Sequence, residues 1–255
     1  MVKEQAFHKR IAVYSEAEDD SLNNIAAQLQ IPLLHSRSDD YDFYLLKIND
    51  ALYLQNQDVK FCVDFSSGEM NFRRERGGGK NQAIGRAVGL KKLKAVKVLD
   101  ATAGLGGDAF VLACLGCDVT MVERSRIIAA LLKDGLTRGL LDENISGIIA
   151  RMTLVNMEAK DYFSKFKEIP DVIYLDPMYP HRKKSAKVKK EMQILQNLLG
   201  HVEGGSLLKP ALKVATKRVV VKRPKGAEYL ENSAPSHSIE SKKTRYDVYL
   251  CGVSQ

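Results

Sequence analysis

Short apolar runs alternate with amphipathic segments along the chain from about residue 95 onward. Five runs have the length and composition of strands buried in a sheet: Val96–Leu99, Asp118–Glu123, Met152–Asn156, Asp171–Leu175 and Arg218–Val221. The segments between them include stretches with helical spacing. Such an alternation predicts a doubly wound, mostly parallel sheet, that is, an α/β fold. A hairpin or antiparallel pair over Ser238–Leu250 completes this predicted domain.

Helices are predicted in the segments that connect these strands. They cover Ala109–Gly116, Ser125–Leu141, Ala159–Phe166, Lys184–Leu199 and Gly205–Ala215. Ser125 is a residue type that caps helix starts, and the segment from Ala109 closes on a glycine. In the segment from Lys184, apolar residues recur at the spacing of one helical face.

The first 70 residues show a different pattern. They predict a strand, a helix, a hairpin that turns at Asn49-Asp50, and a further strand: Arg10–Tyr14, Asp20–Leu29, Phe43–Ile48 with Ala51–Leu54, and Lys60–Phe65. We therefore expect a small α+β domain at residues 1–72. A basic, glycine-rich hinge with a short helix over Asn81–Val88 follows at residues 73–94, and the α/β domain occupies residues 95–255.

Composition narrows the class of protein. A chain of 255 residues with 45% apolar residues is long enough for a sizeable core. Apolar runs stay well short of the ~20 residues that cross a bilayer, and the start lacks the apolar region of a signal peptide, so we expect a cytoplasmic protein. Four cysteines in a chain of this length make no disulfide framework. Cys114 and Cys117 form a single C-x-x-C motif, which spans the end of a predicted helix and the start of a predicted strand. We expect no metal site.

The positive charge is concentrated. The chain has a formal net charge of +8, from 39 basic and 31 acidic residues. About half of the basic residues fall in the windows 73–94, 181–190 and 213–226, which contain Glu75 as their single acid. One such run is usually a solvated surface, and the first window equally fits a flexible linker. We expect the three runs to converge on one sheet edge, which favours a phosphate backbone as partner. The residues expected to contact it are Arg73, Arg74, Arg76, Lys80, Arg182, Lys183, Lys184, Lys222 and Arg223.

The end of the fourth predicted strand carries candidate chemistry. Val172–Leu175 runs directly into Asp176, Pro177, Met178, Tyr179 and Pro180. Open α/β sheets bind ligands at the carboxyl ends of their strands. There Asp176 could accept an N–H from an exocyclic amine of a nucleobase, and Tyr179 could stack on the ring. An isolated Asp-Pro more often forms a simple turn, so a second signal is needed.

That second signal is a glycine loop after the first predicted strand. The loop begins at Asp100 and contains Gly104, Gly106 and Gly107 before Asp108. A strand, a glycine loop and a helix form the first unit of nucleotide-binding sheets, in which the helix start supplies free N–H groups. The next strand ends in Glu123, at about the 20-residue spacing expected of a ribose-binding acid.

These motifs resemble those of a known enzyme class. Residues 99–110 with Glu123 resemble motifs I and II of the class I S-adenosylmethionine-dependent methyltransferases. Residues 176–179 resemble the Asp/Asn-Pro-Pro-Tyr/Phe motif of members that methylate exocyclic amines, with Met178 in place of the second proline. A closer resemblance, over roughly residues 72–250, is to the ribosomal RNA small subunit methyltransferase J family, through residues 100–106, 108–113, 175–180, 184–192 and 215–224.

The resemblance implies a fold, an activity and a site. It implies a Rossmann-like, seven-stranded, mostly parallel class I methyltransferase sheet behind a small α+β annex. It also implies methyl transfer from S-adenosylmethionine to the N2 amine of a guanine in 16S rRNA, as naked RNA or within the small ribosomal subunit, without a metal, membrane or obligate protein partner. The implied cofactor-binding residues are Asp100, Gly104, Gly106, Gly107, Asp108, Glu123, Arg124, Glu158, Ala159 and Asp176. Asp176, Pro177 and Tyr179 form the implied catalytic motif.

Other functions remain open from the sequence. Relatives in the family have small hydroxyl residues where this chain has Glu158 and Ala159, and Glu158 equally fits a role beside a helix start. A nicotinamide-dependent oxidoreductase would use the same glycine loop, but it explains neither Asp176-Pro177 nor the basic runs. A DNA adenine or protein glutamine methyltransferase would use a similar motif. A non-catalytic rRNA-binding assembly factor would keep the basic surface alone.

Overall fold

The structure, a computed structural model, describes residues 10–57, 59–68, 70, 79–91, 95–165, 169–177 and 206–252. These residues form two compact units. The first comprises the described residues up to Val63 together with Ala130–Gly135, and the second comprises the others. The expected domain boundaries at residues 72 and 94 lie outside the described residues, so the three-part division stays a prediction.

The first unit contains a five-stranded mixed sheet and one complete helix. Its strands are β1 (Ile11–Tyr14), β2 (Leu33–Leu34), β3 (Phe43–Ile48), β4 (Ala51–Gln55) and β5 (Lys60–Phe61), in the order β2-β1-β3-β4-β5. Strand β1 is parallel to β2 and β3, whereas β3, β4 and β5 are successively antiparallel. Helix α1 (Asp20–Leu29) is capped by the preceding residue, Asp19. The Asp19 carboxylate accepts hydrogen bonds from the N–H groups of Ser21 and Leu22.

The predicted hairpin is confirmed, and its turn explains it. Asn49 and Asp50 have φ angles of 47° and 62°, the left-handed values that a two-residue hairpin turn requires. The strand predicted over Lys60–Phe65 was too long, because only Lys60 and Phe61 pair with β4. Val63 and Phe65 are buried, so the apolar alternation there marks burial and not strand pairing. Strand β2 was not predicted.

The second unit contains the seven-stranded sheet. Its strands are β6 (Lys97–Asp100), β7 (Asp118–Glu123), β8 (Met152–Asn156), β9 (Val172–Leu175), β10 (Arg218–Pro224), β11 (His237–Glu240) and β12 (Thr244–Leu250). Their order is β8-β7-β6-β9-β10-β12-β11. Neighbouring strands among β8, β7, β6, β9 and β10 are parallel. Strand β12 is antiparallel to both β10 and β11. The predicted fold class is therefore confirmed, including the antiparallel pair at the end.

Helices connect these strands along the chain. They are α2 (Ala83–Val88), α3 (Gly107–Cys114), α4 (Arg126–Leu141), α5 (Ser146–Ile149), α6 (Ala159–Lys165) and α7 (Leu208–Val214). The short helix α5 was not predicted, and the helix predicted over Lys184–Leu199 lies outside the described residues. Strand β10 extends three residues beyond its predicted end, because β12 pairs with it as far as Pro224. No described helix has both the length and the apolar character needed to cross a membrane.

The parallel strands of the second unit share one apolar core, which fixes the positions of their ends. Apolar residues of five strands and of α6 and α7 form one buried cluster, which includes Leu99, Val122, Ile173, Val221 and Leu208. Strand β6 lies between β7 and β9, so the connections leave it in opposite directions. Ligands of open α/β sheets bind at this switch point, beyond the carboxyl ends of the strands.

Candidate active site

Acidic side chains follow three neighbouring strands at this switch point. Asp100 is the last residue of β6, Glu123 is the last of β7, and Asp176 directly follows β9. Because the strands are parallel, all three acids lie at one edge of the sheet. The three acids predicted from separate parts of the sequence thus belong to adjoining strand ends.

The loop after β6 is held by hydrogen bonds to two of these acids. The N–H of Thr102 donates to Oδ1 of Asp100 (3.1 Å), and the N–H of Gly104 donates to Oε2 of Glu123 (3.0 Å). Gly104 and Gly106 have φ angles of 54° and 74°, which only glycine adopts without strain. The loop therefore needs glycine for its backbone conformation, and it leads directly into the start of α3.

Glu123 is fixed by main-chain donors from both sides. It is 6% exposed, and its second oxygen, Oε1, accepts from the N–H of Ser125 at 2.7 Å. Burial raises the pKa of Glu123, while the hydrogen bonds from Ser125 and Gly104 oppose that rise. Asn156 adds support, since its Nδ2 donates to the carbonyl oxygen of Glu123 at 2.7 Å. The carboxylate is thus oriented in advance at the end of β7.

Asp176 is tied to the glycine loop through its backbone. Its N–H donates to Oγ1 of Thr102 at 2.6 Å. This bond joins the segment after β9 to the segment after β6. The two predicted halves of the site, the glycine loop and the Asp176-Pro177 motif, therefore meet.

A lysine links two carboxylates at the same edge. Nζ of Lys222, on β10, donates to Oδ2 of Asp108 at 2.6 Å and to Oδ2 of Asp176 at 2.8 Å. The hydroxyl of Tyr174 donates to the same oxygen of Asp108 at 2.7 Å. Burial alone would lower the pKa of Lys222, but the charges of Asp108 and Asp176 raise this pKa above its ordinary value. The lysine is therefore a cation throughout the physiological range.

Asp100 is a strongly perturbed acid of the site. It is 2% exposed, and burial raises its pKa to about 8, with a further rise from the nearby Asp108 and Asp176. The hydrogen bond from Thr102 and the charge of Lys222 oppose the rise without cancelling it. The Lys222 ammonium contacts Asp108 and Asp176, and Asp100 is a third carboxyl group near them, so carboxyl groups outnumber this ammonium. Such a site favours a cationic ligand.

The remaining predicted site residues differ in placement and in exposure. Arg124 follows β7, and its Nη1 lies 4.0 Å from Oε1 of Glu158, with the Glu158 side chain 60% exposed. Ala159 is buried as the first residue of α6. Gly107 and Asp108 form the first turn of α3. Pro177, directly after Asp176, is partly buried, and Tyr179 lies outside the described residues.

The predicted phosphate-contacting residues have varied placements. Lys80 is exposed within a short 3-10 turn over Gly79–Asn81. Arg223 is 7% exposed and its guanidinium donates to the carbonyl oxygen of Glu228 at 2.9 and 3.1 Å. Lys222 lies between carboxylates, as described above. Arg73, Arg74, Arg76, Arg182, Lys183 and Lys184 lie outside the described residues.

A separate cleft of about 220 Å³ lies at the opposite, amino-terminal edge of the sheet. It is lined by strand starts such as Lys97 and Asp118, and Arg151 pairs with Asp118 there at 3.2 Å. It contains none of the three strand-end acids. Among the described residues, no group of three or more His, Cys, Asp or Glu is placed to hold a metal ion.

Sequence reasoning missed several residues that shape the site. Thr102 joins the two loops, Tyr174 supports Asp108, and Asn156 supports Glu123. Tyr174 left a signal, because it is a polar aromatic inside an otherwise aliphatic strand that is fully buried. Buried tyrosine hydroxyls usually find a partner. Thr102 left none, since a loop hydroxyl is ordinary in any turn.

Comparisons with known proteins agree with this geometry. Residues 24–251 match the family model described as "Putative SAM-dependent methyltransferase", where SAM is S-adenosylmethionine. A protein of Shewanella amazonensis named ribosomal RNA small subunit methyltransferase J is 48% identical over 238 residues, which cover 91% of this chain and 94% of that protein. A protein of the same name from Alteromonas mediterranea is 47% identical, with 94% and 96% covered.

A solved structure is similar over nearly the whole chain. The crystal structure of a SAM-dependent methyltransferase from Neisseria gonorrhoeae has 33% sequence identity and a TM-score of 0.76. The match covers 96% of this chain and 97% of that one. Both the sequence and the fold thus match over almost the full length.

Proposed function

Because this chain belongs to the ribosomal RNA small subunit methyltransferase J family of SAM-dependent methyltransferases, we propose that it methylates the N2 amine of a guanine in 16S rRNA. The family excludes the oxidoreductase interpretation and makes the chain an enzyme. The choice of guanine N2 rests on the resemblance to that family, and the Asp176-Pro177 motif supports an exocyclic amine as the target. The substrate implies the cytoplasmic location that the sequence predicts.

The residues around Asp100 fit S-adenosylmethionine. When bound, this cofactor supplies a methyl group that is already activated by the positive charge on sulfur. Asp100 is buried with a raised pKa, and a cationic ligand beside it would restore its ionised form. Gly104 and Gly106 shape the loop, and Gly107 and Asp108 begin the helix behind it. These residues would hold the methionine end of the cofactor.

Glu123 is suited to the ribose of the same cofactor. Two main-chain N–H groups, from Gly104 and Ser125, each occupy one lone pair of its carboxylate oxygens. Each oxygen keeps a further lone pair with which to accept a ribose hydroxyl. Arg124, Glu158 and Ala159 would lie toward the adenine, at the outer side of the site.

Asp176 is proposed to act on the amine. The lone pair of guanine N2 is delocalised into the ring, which makes the amine a poor nucleophile. An ionised Asp176 that accepts one N–H would draw the lone pair out of conjugation and stabilise the positive charge that develops on nitrogen. The amine proton leaves after methyl transfer, so Asp176 is needed as an acceptor and not as a strong base. Pro177 would fix the backbone at this point, and Tyr179 would cover the base.

One observation carries this proposal beyond the family assignment. The 2.6 Å hydrogen bond from the N–H of Asp176 to Thr102 holds the amine-binding motif against the cofactor loop. Methyl transfer requires nitrogen, carbon and sulfur in line within a single short span. A bond between the two loops supports such an arrangement, because it keeps Asp176 beside the loop that follows β6.

The proposal is tested by transfer of labelled methyl groups from S-adenosylmethionine. The substrates are 16S rRNA and small subunits from cells that lack this protein, with duplex DNA and release-factor protein as comparison substrates. We expect label in 16S rRNA, recovered as N2-methylguanosine after digestion and mass analysis. Label in N6-methyladenine or in glutamine would show that another exocyclic or amide nitrogen is the target.

A further inference from the structure

The lysine between Asp108 and Asp176 is a further element of the site. Lys222 was expected to contact phosphate, a role that stays a prediction. Its side chain is only 25% exposed, and its ammonium lies 2.6 Å from Asp108 and 2.8 Å from Asp176. A partly buried lysine with two carboxylate partners is held in one geometry. That geometry links β10 to both α3 and the segment after β9.

We propose that Lys222 is a positioning residue, whose ammonium keeps the Asp176 carboxylate ionised and turned toward the incoming amine. This inference rests on the proposed function, because it assumes that Asp176 accepts the amine N–H. Lys222 bonds to one carboxylate oxygen, Oδ2, while the Asp176 side chain remains 40% exposed. The open part of the carboxylate then faces the space where substrate would enter.

The charges around Asp176 show why a cation is required there. Asp108 from α3 and Asp100 from β6 are like charges near it, and Tyr174 from β9 adds no positive charge. Burial has the largest effect and leaves the pKa of Asp176 raised overall. Lys222 and the neighbouring Arg223 lower this pKa, whereas Asp108 raises it further. Of the two cations, Lys222 has the larger effect and is in direct contact. Without Lys222, a larger fraction of Asp176 would be protonated. A protonated carboxyl oxygen accepts hydrogen bonds poorly.

Asp108 and Tyr174 complete the arrangement. The Asp108 carboxylate, 13% exposed, accepts from Lys222 and from the Tyr174 hydroxyl at the same oxygen. Tyr174 lies in the fully buried strand β9, two residues before Asp176. The ammonium is therefore anchored to the sheet on one side and holds Asp176 on the other. Removal of the lysine would leave both carboxylates without this shared partner.

The experiment uses Lys222→Gln, which keeps hydrogen-bond donors but removes the charge, and Lys222→Arg, which keeps the charge. Lys217→Gln is the matched control. Lys217 directly precedes β10 and pairs with Asp171 at 2.8 Å, near the end of the strand opposite to Lys222. The first readout is the carboxyl carbon resonance of Asp176, assigned with Asp176→Asn and titrated by NMR. It needs no RNA.

We expect the titration midpoint of Asp176 to rise by at least about one pH unit in Lys222→Gln. The midpoint should stay near its wild-type value in Lys222→Arg and Lys217→Gln. An unchanged midpoint in Lys222→Gln would overturn the proposal. If that variant does not fold, a wild-type Asp176 that is still protonated at pH 7.5 would overturn it equally, because Lys222 is then not keeping it ionised.

The second readout is the pH profile of kcat for methyl transfer to 16S rRNA. In Lys222→Gln we expect kcat at pH 7 to fall about 100-fold, with the acid limb moved upward and activity partly recovered at pH 9. Lys222→Arg should recover most of the activity. A uniform loss at every pH would indicate a merely structural role and contradict the proposal. Wild-type protein that methylates no rRNA would instead refute the proposed function, and the NMR midpoint would still report on Lys222.

Discussion

At the scale of single residues, the site is an arrangement of acids whose pKa values are raised by burial but whose partners and exposure differ. Asp100 is enclosed and has its pKa raised to about 8, whereas Asp176 is partly open and has a lysine partner. Two carboxyl groups near one another thus suit two tasks. One would balance the charge of the cofactor, and the other would accept a hydrogen bond from the substrate.

Asp176→Ala tests the second task. We expect methyl transfer to fall by at least about 1,000-fold, because the acceptor for the amine is lost, a loss of the size seen when one transition-state hydrogen-bonding group is removed. Cofactor affinity, measured by calorimetry, should change by only a few-fold, since Asp100 and Glu123 remain. Turnover that survives in this variant would remove Asp176 from the centre of the mechanism.

Asp100→Asn tests the raised pKa through stability. The folded value of about 8 lies above the ordinary 3.8, so the folded state binds more protons between these limits. Stability of the cofactor-free protein must therefore fall as pH rises from about 4 to about 8. The asparagine variant lacks this fall, so we expect its Tm to exceed that of wild type by roughly 3 °C or more at pH 8 and to match it near pH 4.

Asp171→Asn is the control of opposite sign. Burial tends to raise the pKa of Asp171, but the hydrogen bond from Lys217 helps to lower this pKa below its ordinary value. This carboxylate stabilises the folded state above about pH 4, and that contribution is lost as the pH falls through its folded pKa. Its replacement should therefore lower Tm at pH 8. A variant of Asp100 that behaves like that of Asp171 would contradict the assigned pKa.

At the scale of elements, we expect the turn from β6 to α3 to decide whether the cofactor is held. Gly104 has a φ of 54°, and a Cβ added there would meet only the carbonyl oxygen of Thr102, at 4.0 Å. Space is therefore available, and the constraint is the backbone angle itself. The N–H that this angle presents is the one that donates to Glu123.

Gly104→Ala should lower the free energy of unfolding by about 1–2 kcal/mol, the strain of a left-handed angle in an alanine. It should also weaken cofactor binding, because relief of the strain moves the N–H away from Glu123. Gly147→Ala in α5 is the matched control, since its φ is ordinary for a helix and nothing lies within 4 Å of the added Cβ. Denaturant unfolding and calorimetry measure both effects. Equal behaviour of the two variants would show that the loop has no such constraint.

At the scale of the whole molecule, the two ends of the chain differ in charge. Residues 1–63 have six basic and ten acidic residues, which leaves 33 basic and 21 acidic residues for the rest. The excess of positive charge, which we propose attracts RNA, is therefore confined to residues 64–255. The N-terminal residues would repel phosphate, so we expect them to add little to RNA affinity.

RNA affinity should accordingly fall steeply with salt, as counterions are released from phosphates that basic residues contact. Simultaneous replacement of Arg73, Arg74 and Arg76 by alanine should reduce the slope of log affinity against log salt by about 2–3. Arg151→Ala is the control, because Arg151 pairs with Asp118 at the edge of the sheet opposite the site. Fluorescence anisotropy with a 16S rRNA fragment measures the slopes. A flat salt response in wild type would remove the basic runs as the RNA-binding surface.

The sequence by itself determined the sheet and the acids at its edge. Apolar runs specify buried parallel strands, and an acid directly after such a run must lie at the carboxyl edge, as Asp100, Glu123 and Asp176 do. The turn at Asn49-Asp50 was predictable for a similar reason, because the backbone angles of a short turn depend on local residues. Local chemistry is enough for both.

Only the tertiary structure decided which side chains meet. Lys222 lies 114 positions from Asp108 and 46 from Asp176, and no spacing in the sequence shows that its ammonium joins them. The bond from Asp176 to Thr102 likewise depends on β6 and β9 being neighbours in the sheet. A strand pattern fixes which residues are buried and where each strand ends. Strand order and register then fix the partners, because hydrogen bonds and ion pairs form only over a few ångströms.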